Sequence, residues 1–309
     1  MISIIIPAYN EKRAISNTIQ DIRKVLLESN YEEYEIVVVD DASTDNTKEI
    51  ALTAGAKVIS KIQNLGYGHS LKMGILSAKY DIIVITDADG TYPIYEIPNL
   101  IKLYDQGYHL VIGARTGKFF KESYIKYPLR ILLKFLVDFA AGRKIQDPNS
   151  GLRVFSKKEI IPLFPTLCDR FSFTTSMTLA YMMLQRSVKF FEINYNARVG
   201  KSKVMLFRDS LLTLQYIIQA INYYNPIKIF LVLSFFTALI GFSFLCIGLI
   251  FKITTFILLG IGSFISAVIV LSLGLLADLL KQILVSSESK YTVRSERKTG
   301  YERDEEKAI

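Results

Sequence analysis

The chain has 309 residues, half of them apolar, with 37 Lys/Arg against 29 Asp/Glu. That apolar content rules out a mainly disordered chain. Two cysteines and two histidines rule out a disulfide framework and a multi-histidine metal site, so any metal must be held by carboxylates.

Short β-branched runs open the chain. ISIII at 2–6, EIVVV at 35–39, KVI at 57–59 and DIIVIT at 81–86 suit strands buried on both faces of a sheet, and HLVIG at 109–113 adds a fifth. Helical stretches separate them, at about 11–28, 46–54 and 68–79. The first carries Ile15, Ile19, Ile22 and Leu26 at helical spacing. The second follows Ser43-Thr44-Asp45-Asn46, a cluster of N-capping residues. Strand–helix alternation of this kind predicts an α/β doubly wound sheet. Such sheets bind ligands beyond the carboxyl ends of their strands. The tips to inspect are therefore Pro7–Glu11, Asp40–Ser43, Gln63–Gly68, Asp87–Gly90 and Gly113–Arg115.

Asp87 and Asp89 present two carboxylates to a hard divalent cation, Mg2+ or Mn2+, that keeps some waters and holds a diphosphate. Tyr9 and Glu11 at one tip and Asp40-Asp41 at another supply a flat aromatic and acidic acceptors, which suit a base and a ribose. Arg115 suits the diphosphate. His69 and His109 read as ordinary polar residues, and Cys168 and Cys246 as inert. Gly66-Tyr67-Gly68-His69-Ser70-Leu71 ends in leucine and is not a dinucleotide fingerprint.

Residues 115–144 carry eight Lys/Arg against two Asp/Glu. Lys118, Lys121, Lys126, Arg130 and Lys134 alternate there with Phe119, Phe120, Tyr124, Ile125, Phe135 and other apolar residues. That pattern suits an amphipathic helix, near 119–140, on an anionic membrane surface rather than a nucleic-acid site. A second such helix is expected at 207–224. Two long apolar runs follow, about 227–251 and 253–280, each long enough for a hydrocarbon core of roughly 30 Å. The connection holds little beyond Lys252, so they form a transmembrane hairpin with both ends on one side. Lys228, Lys281 and the basic window lie on that side, which the positive-inside tendency makes cytoplasmic. Three parts are expected: a catalytic domain over 1–226, the hairpin over 227–285 and a charged cytoplasmic tail over 286–309. The face Gly260/Gly262/Ser263/Ser266 allows close helix packing, and with it a homo-oligomer.

The segments IIIPAYNE, VVVDDASTDNT, NLGYGHS, TDADGTYP, GAR and IQDPNSGLRVF, in that order, resemble the family 2 inverting glycosyltransferases with the GT-A fold. Residues 196–203, NARVGKSK, resemble the Arg-x-Gly-x-Ser-Lys element of the branch that glycosylates polyprenyl phosphates. The resemblance covers about residues 1–285. It implies a nucleotide-sugar donor (UDP-glucose first, GDP-mannose next), a polyprenyl-phosphate lipid acceptor, Mg2+ or Mn2+, and a multi-pass enzyme of the cell membrane. It assigns Pro7, Tyr9, Glu11, Val39 and Asp41 to base and ribose, with Asp40 supporting their loop. Asp87, Ala88, Asp89 and Arg115 fall to the metal and sugar diphosphate. Thr91 stands where a glutamine is common. Asp147, Ser150 and Arg153 fall in the acceptor and sugar pocket, and Arg198, Ser202 and Lys203 on the lipid phosphate. Asp89, Asp147, Arg115 and Arg198 carry the reaction in this reading, with Asp147 orienting rather than acting as an essential base. The stretch Phe171–Thr175 lacks the acidic residue that many members place there. A processive polysaccharide synthase would carry a Gln-x-x-Arg-Trp element, and this chain has no tryptophan. A non-catalytic membrane scaffold would not need the acidic and basic tips.

Overall fold

The computed structural model describes residues 1–117, 127–197 and 206–306, without the side chains of 127–130, 132, 206, 207, 209 and 284–306. Arg198, Ser202 and Lys203 therefore lie outside the described residues, as does the basic run 118–126. The chain divides into two units, Met1–Ala220 and Ile221–Ile309.

In the first unit, β1 (Ile2–Ala8), β2 (Tyr34–Asp40), β3 (Lys57–Ser60) and β4 (Ile82–Ile85) form a parallel half-sheet. Helices α1 (Ile15–Glu28), α2 (Thr47–Thr53) and α3 (Tyr67–Ser77) connect them. All four residues of the predicted α1 stripe, Ile15, Ile19, Ile22 and Leu26, are fully buried. Asp45 accepts from the Thr47 amide at 3.0 Å where α2 begins, as the capping cluster predicts. Gly74 lets α3 settle onto the sheet, because a Cβ there would lie 2.4 Å from Ile5 and 3.1 Å from Val39.

The other half departs from a purely parallel sheet. After α4 (Ile97–Tyr104), β5 (Leu110–Thr116) and α5 (Tyr127–Ala141), β6 (Arg153–Ser156) inserts between β4 and β5, antiparallel to both. The short α6 (Lys157–Ile160), then α7 (Phe173–Met183), lead to β7 (Val188–Asn194), which runs parallel to β5. The seven-stranded order is β3-β2-β1-β4-β6-β5-β7. Strand β6 brings residues 147–151 back across the sheet's carboxyl edge. The unit closes on α8 (Leu206–Tyr224), which begins within it. Ile131 and Phe135 on α5 and Leu211 and Ile218 on α8 are exposed.

In the second unit, α9 (Ile227–Phe251) and the first part of α10 (Thr254–Glu306) are long and apolar enough to cross a membrane, over Ile227–Phe251 and Thr254–Ile283. Only Lys252 and Ile253 separate them, with Lys252 in the left-handed region at φ 52°. The two helices pack through small residues. A Cβ at Gly241 would meet Ser263 at 3.0 Å, and one at Gly260 would meet Leu245 at 2.5 Å. Ser234 Oγ donates across the pair to the Ala267 carbonyl at 2.9 Å. Gly260 and Ser263 thus serve the hairpin itself, which removes half of the face expected to join copies of the chain. Beyond the predicted spans, α10 runs on through Glu306.

Candidate active site

A cavity of about 230 Å³ opens at the carboxyl ends of β1, β2 and β4. Pro7, Tyr9 and Glu11 reach it from the β1 tip, Asp41 from the β2 tip, and Asp87, Ala88 and Asp89 from the β4 tip. Four expected strand tips therefore meet, because the β3 tip also contributes, through Asn64, Gly66 and Tyr67.

Each β4 aspartate is aimed by a neutral donor. Tyr67 donates its hydroxyl to Asp87 Oδ1 at 2.9 Å. Burial, and then the Asp87 charge beside it, push the Tyr67 phenol well above its usual range, so it stays protonated and donating. The Asp87 carboxylate fits only because residue 151 is glycine: a Cβ there would lie 2.9 Å from Asp87 Oδ1. Asp89 Oδ1 accepts from the Thr91 amide at 3.1 Å and the Thr91 hydroxyl at 2.6 Å. Thr91 is fully buried, so it positions Asp89 instead of reaching a sugar.

No group of three or more potential metal-ligating side chains occurs among the described residues. The carboxylates that could hold a cation here are Asp87 and Asp89, which accept hydrogen bonds from the neutral donors Tyr67 and Thr91. That set fits Mg2+ or Mn2+ completing its shell with water and substrate phosphate oxygens.

The β2 tip rearranges the expected division of labour. Asp41 accepts from the Leu65 and Gly66 amides, both at 2.9 Å, and pairs with the buried Lys61 ammonium at 2.6 Å. Asp41 thus supports the β3–α3 loop as well as reaching the cavity. Asp40 and Val39 are buried and absent from the cavity wall, and no described group bonds Asp40 Oδ1.

Arg115 is committed internally. Its Nε and Nη2 bind Asp147 Oδ2 and Oδ1 at 2.7 and 2.9 Å, its backbone amide binds Oδ2 at 3.1 Å, and the Tyr195 ring lies 5.4 Å from its guanidinium. Burial pushes the Asp147 carboxyl up, but the Arg115 charge and hydrogen bonds outweigh it and hold the group below its usual range. Neither residue lines the cavity. Ser150 and Arg153, expected on the acceptor phosphate, are both 0 % exposed. Ser150 Oγ donates to the Gly113 carbonyl. Arg153 donates to the carbonyls of Ser150 and Pro148, both at 2.7 Å, and to Thr178 Oγ1 at 2.9 Å. Burial lowers its pKa to about 10, which leaves it charged at neutral pH. These two residues fold the 147–151 loop back on itself and face away from solvent.

Three cavity residues escape sequence reasoning. Arg170 and Phe171 precede α7, and Arg208 lies in the first turn of α8. Phe171 stacks on Tyr67 with centroids 5.8 Å apart. Glycines let the 168–170 backbone approach α3, since a Cβ at Gly68 would lie 2.2 Å from the Cys168 carbonyl. The His69 amide donates to the Asp169 carbonyl at 2.8 Å, and Lys72 binds Asp169 Oδ1 at 2.7 Å.

A mixed sheet of this order, with paired aspartates at the β4 tip beside a cavity, defines the GT-A architecture of sugar-nucleotide transferases. The chain belongs to glycosyl transferase family 2, which it matches over residues 3–163, and it is a glycosyltransferase. It is similar to two undecaprenyl-phosphate 4-deoxy-4-formamido-L-arabinose transferases. The one from Edwardsiella ictaluri is 28% identical over 82% of this chain and 77% of that protein. The one from Serratia proteamaculans is 27% identical over 78% and 73%. In fold it is similar to glucosyl-3-phosphoglycerate synthase from Mycobacterium tuberculosis. The crystal structure of that enzyme with Mn2+, UDP and glucosyl-3-phosphoglycerate superposes with TM-score 0.54 at 22% identity, over 72% of this chain and 78% of that one. Its complex with Mg2+ and UDP gives 0.53 at 23%, over 72% and 78%.

Proposed function

We propose that this glycosyltransferase moves one sugar from a nucleotide sugar to a polyprenyl phosphate at the cytoplasmic face of the cell membrane, with inversion at the anomeric carbon. The observation that carries the reading is the cavity at the β1, β2 and β4 tips, lined by Tyr9, Glu11, Asp41, Asp87 and Asp89, in a chain that continues into two membrane-length helices. That both similar proteins are undecaprenyl-phosphate transferases supports the lipid acceptor. The exposed apolar residues of α5 and α8 support contact with a lipid surface.

Tyr9, Glu11 and Pro7 receive the base and ribose in this reading. Asp87 and Asp89 hold Mg2+ or Mn2+, which would supply Lewis-acid stabilisation of the departing diphosphate. The acceptor phosphate monoester is already an anion near neutral pH. One of its oxygens attacks C1, the bond from C1 to the diphosphate oxygen breaks, and the electron pair leaves with the nucleoside diphosphate. No proton has to be removed from such an acceptor, so the reaction needs no carboxylate base. That agrees with Asp147 being bonded to Arg115 and with the absence of an acidic residue in 171–175. Asp147 and Arg115 instead brace the loop that carries Gly151 against Asp87. Arg198, Ser202 and Lys203 are assigned to the lipid phosphate by their motif alone.

The test is a panel of nucleotide sugars offered to the purified full-length enzyme with polyprenyl phosphate and Mn2+, read by mass of the glycolipid. UDP-glucose, GDP-mannose, a UDP-N-acetylhexosamine and nucleotide-linked 4-deoxy-4-formamido-L-arabinose form the panel. One donor should yield a single-sugar phospholipid. Products only on water-soluble alcohols would overturn the acceptor assignment.

A further inference from the structure

We infer that Arg170 and Arg208 form the cationic wall of the cavity and bind the diphosphate of the nucleotide donor. The inference rests on the proposed function and adds to it the groups that hold the leaving group's charge.

Charge balance motivates it. Four carboxylates, those of Glu11, Asp41, Asp87 and Asp89, line the cavity, and one of them, Asp41, is paired with Lys61. A nucleoside diphosphate ester adds two more negative charges, and the departing nucleoside diphosphate adds a third. The arginine expected to meet it, Arg115, is neutralised by Asp147 and sits off the cavity wall. Among the described lining residues, only Arg170 and Arg208 are cationic. Both are exposed, and neither enters an ion pair with a described carboxylate. Arginine presents planar pairs of donors suited to phosphate oxygens.

Position supports the same assignment. Arg170 belongs to a segment pinned to α3 by the Gly68 approach, the His69–Asp169 hydrogen bond and the Lys72–Asp169 ion pair. Its neighbour Phe171 stacks on Tyr67, and Tyr67 bonds Asp87. Arg170 is therefore indexed to the same carboxylate that faces the diphosphate. Arg208 comes from a different element, α8, so the pair closes the cavity from two independent supports. The acceptor phosphate has the same chemistry, and the experiment separates the two sources.

The experiment is calorimetric titration of the full-length protein with UDP, UMP and uridine in the presence of Mn2+, with GDP as the alternative diphosphate. Wild type is compared with R170Q, R208Q and the charge-retaining R170K and R208K. Each glutamine variant should bind UDP about tenfold or more weakly, the equivalent of one charge-assisted contact. Uridine affinity should stay within about twofold of wild type, and the lysine variants should recover part of the loss. Unchanged diphosphate affinity in both glutamine variants overturns the inference. So does a parallel loss of uridine binding, which would mark a structural role. Unchanged UDP affinity with a raised KM for polyprenyl phosphate overturns it in favour of the acceptor. A wild-type chain that binds neither UDP nor GDP overturns the proposed function as well, whereas a wild type that binds and variants that bind equally overturn this inference alone.

Discussion

The tips of β4 and β5 both carry charged residues, yet they have opposite fates. At β4, Asp87 and Asp89 accept hydrogen bonds from Tyr67 and Thr91, donors without charge, and line the cavity. At β5, Arg115 meets Asp147 in a bidentate pair that keeps both off that wall. The charges of a strand tip line the cavity at β4 and are turned into the fold at β5. The β4 tip is equipped for a ligand, and the β5 tip for holding the fold in register.

Four variants probe that contrast. Replacing both Asp87 and Asp89 with alanine should lower glycolipid synthesis by at least about 10²–10³-fold, the size of losing one preorganised electrostatic stabiliser. Mass-detected turnover checks that loss. Arg115→Ala should act the other way round, costing about 3–5 kcal/mol of stability by stranding the Asp147 carboxylate in a buried site. The pH dependence follows from the same pair. Asp147 titrates below its ordinary value in the folded chain, so its stabilisation is present above the ordinary carboxylate range and is lost as pH falls through the lowered folded value. Acid titrations of melting temperature should show the deficit of Arg115→Ala shrinking as pH falls, because wild type loses the contribution of the pair while protonation relieves the stranded Asp147 carboxylate. Tyr67→Phe should weaken donor binding about tenfold, since it removes one hydrogen bond to a charged group; nucleotide titration would read it, and an unchanged affinity would detach Tyr67 from the site. Lys24→Ala breaks an exposed pair with Glu28 and should shift stability by no more than about 0.5 kcal/mol, a baseline for the others.

The first half of the sheet was legible because each element had its own local signal. Strands β1, β2 and β4 carry compact apolar runs (Ile4–Ile6, Ile36–Val39 and Ile82–Ile85), α1 has a full apolar stripe, and Asp87-Ala88-Asp89 stands just past a strand end. The second half had weaker signals. β6 is four residues long, and its antiparallel insertion depends on pairing with residues 41 or more positions away in sequence. Helix α7 is buried along nearly its whole length and so has no polar face for periodicity to detect. The same contrast governs the site. The carboxylates were readable from their tips, whereas the Arg115–Asp147 pair spans 32 residues and the role of Thr91 depends on a two-residue turn onto Asp89. Arg170 and Arg208 reach the cavity through the placement of α7 and α8, which no local pattern encodes. The glycines of Gly66-Tyr67-Gly68 were visible in sequence, but their use, close contact with the Cys168–Arg170 backbone, was not.

The turn between α9 and α10 has a consequence for how the hairpin can be seen from outside a cell. Two residues, Lys252 and Ile253, join the helices, and the first is the sole primary amine between Lys228 and Lys281. If the pair crosses the bilayer, an impermeant amine-reactive label applied to intact cells has one target on the far side, and a protease has almost no loop to cut. The enzyme would be nearly invisible from that side, its whole chemistry kept on the other.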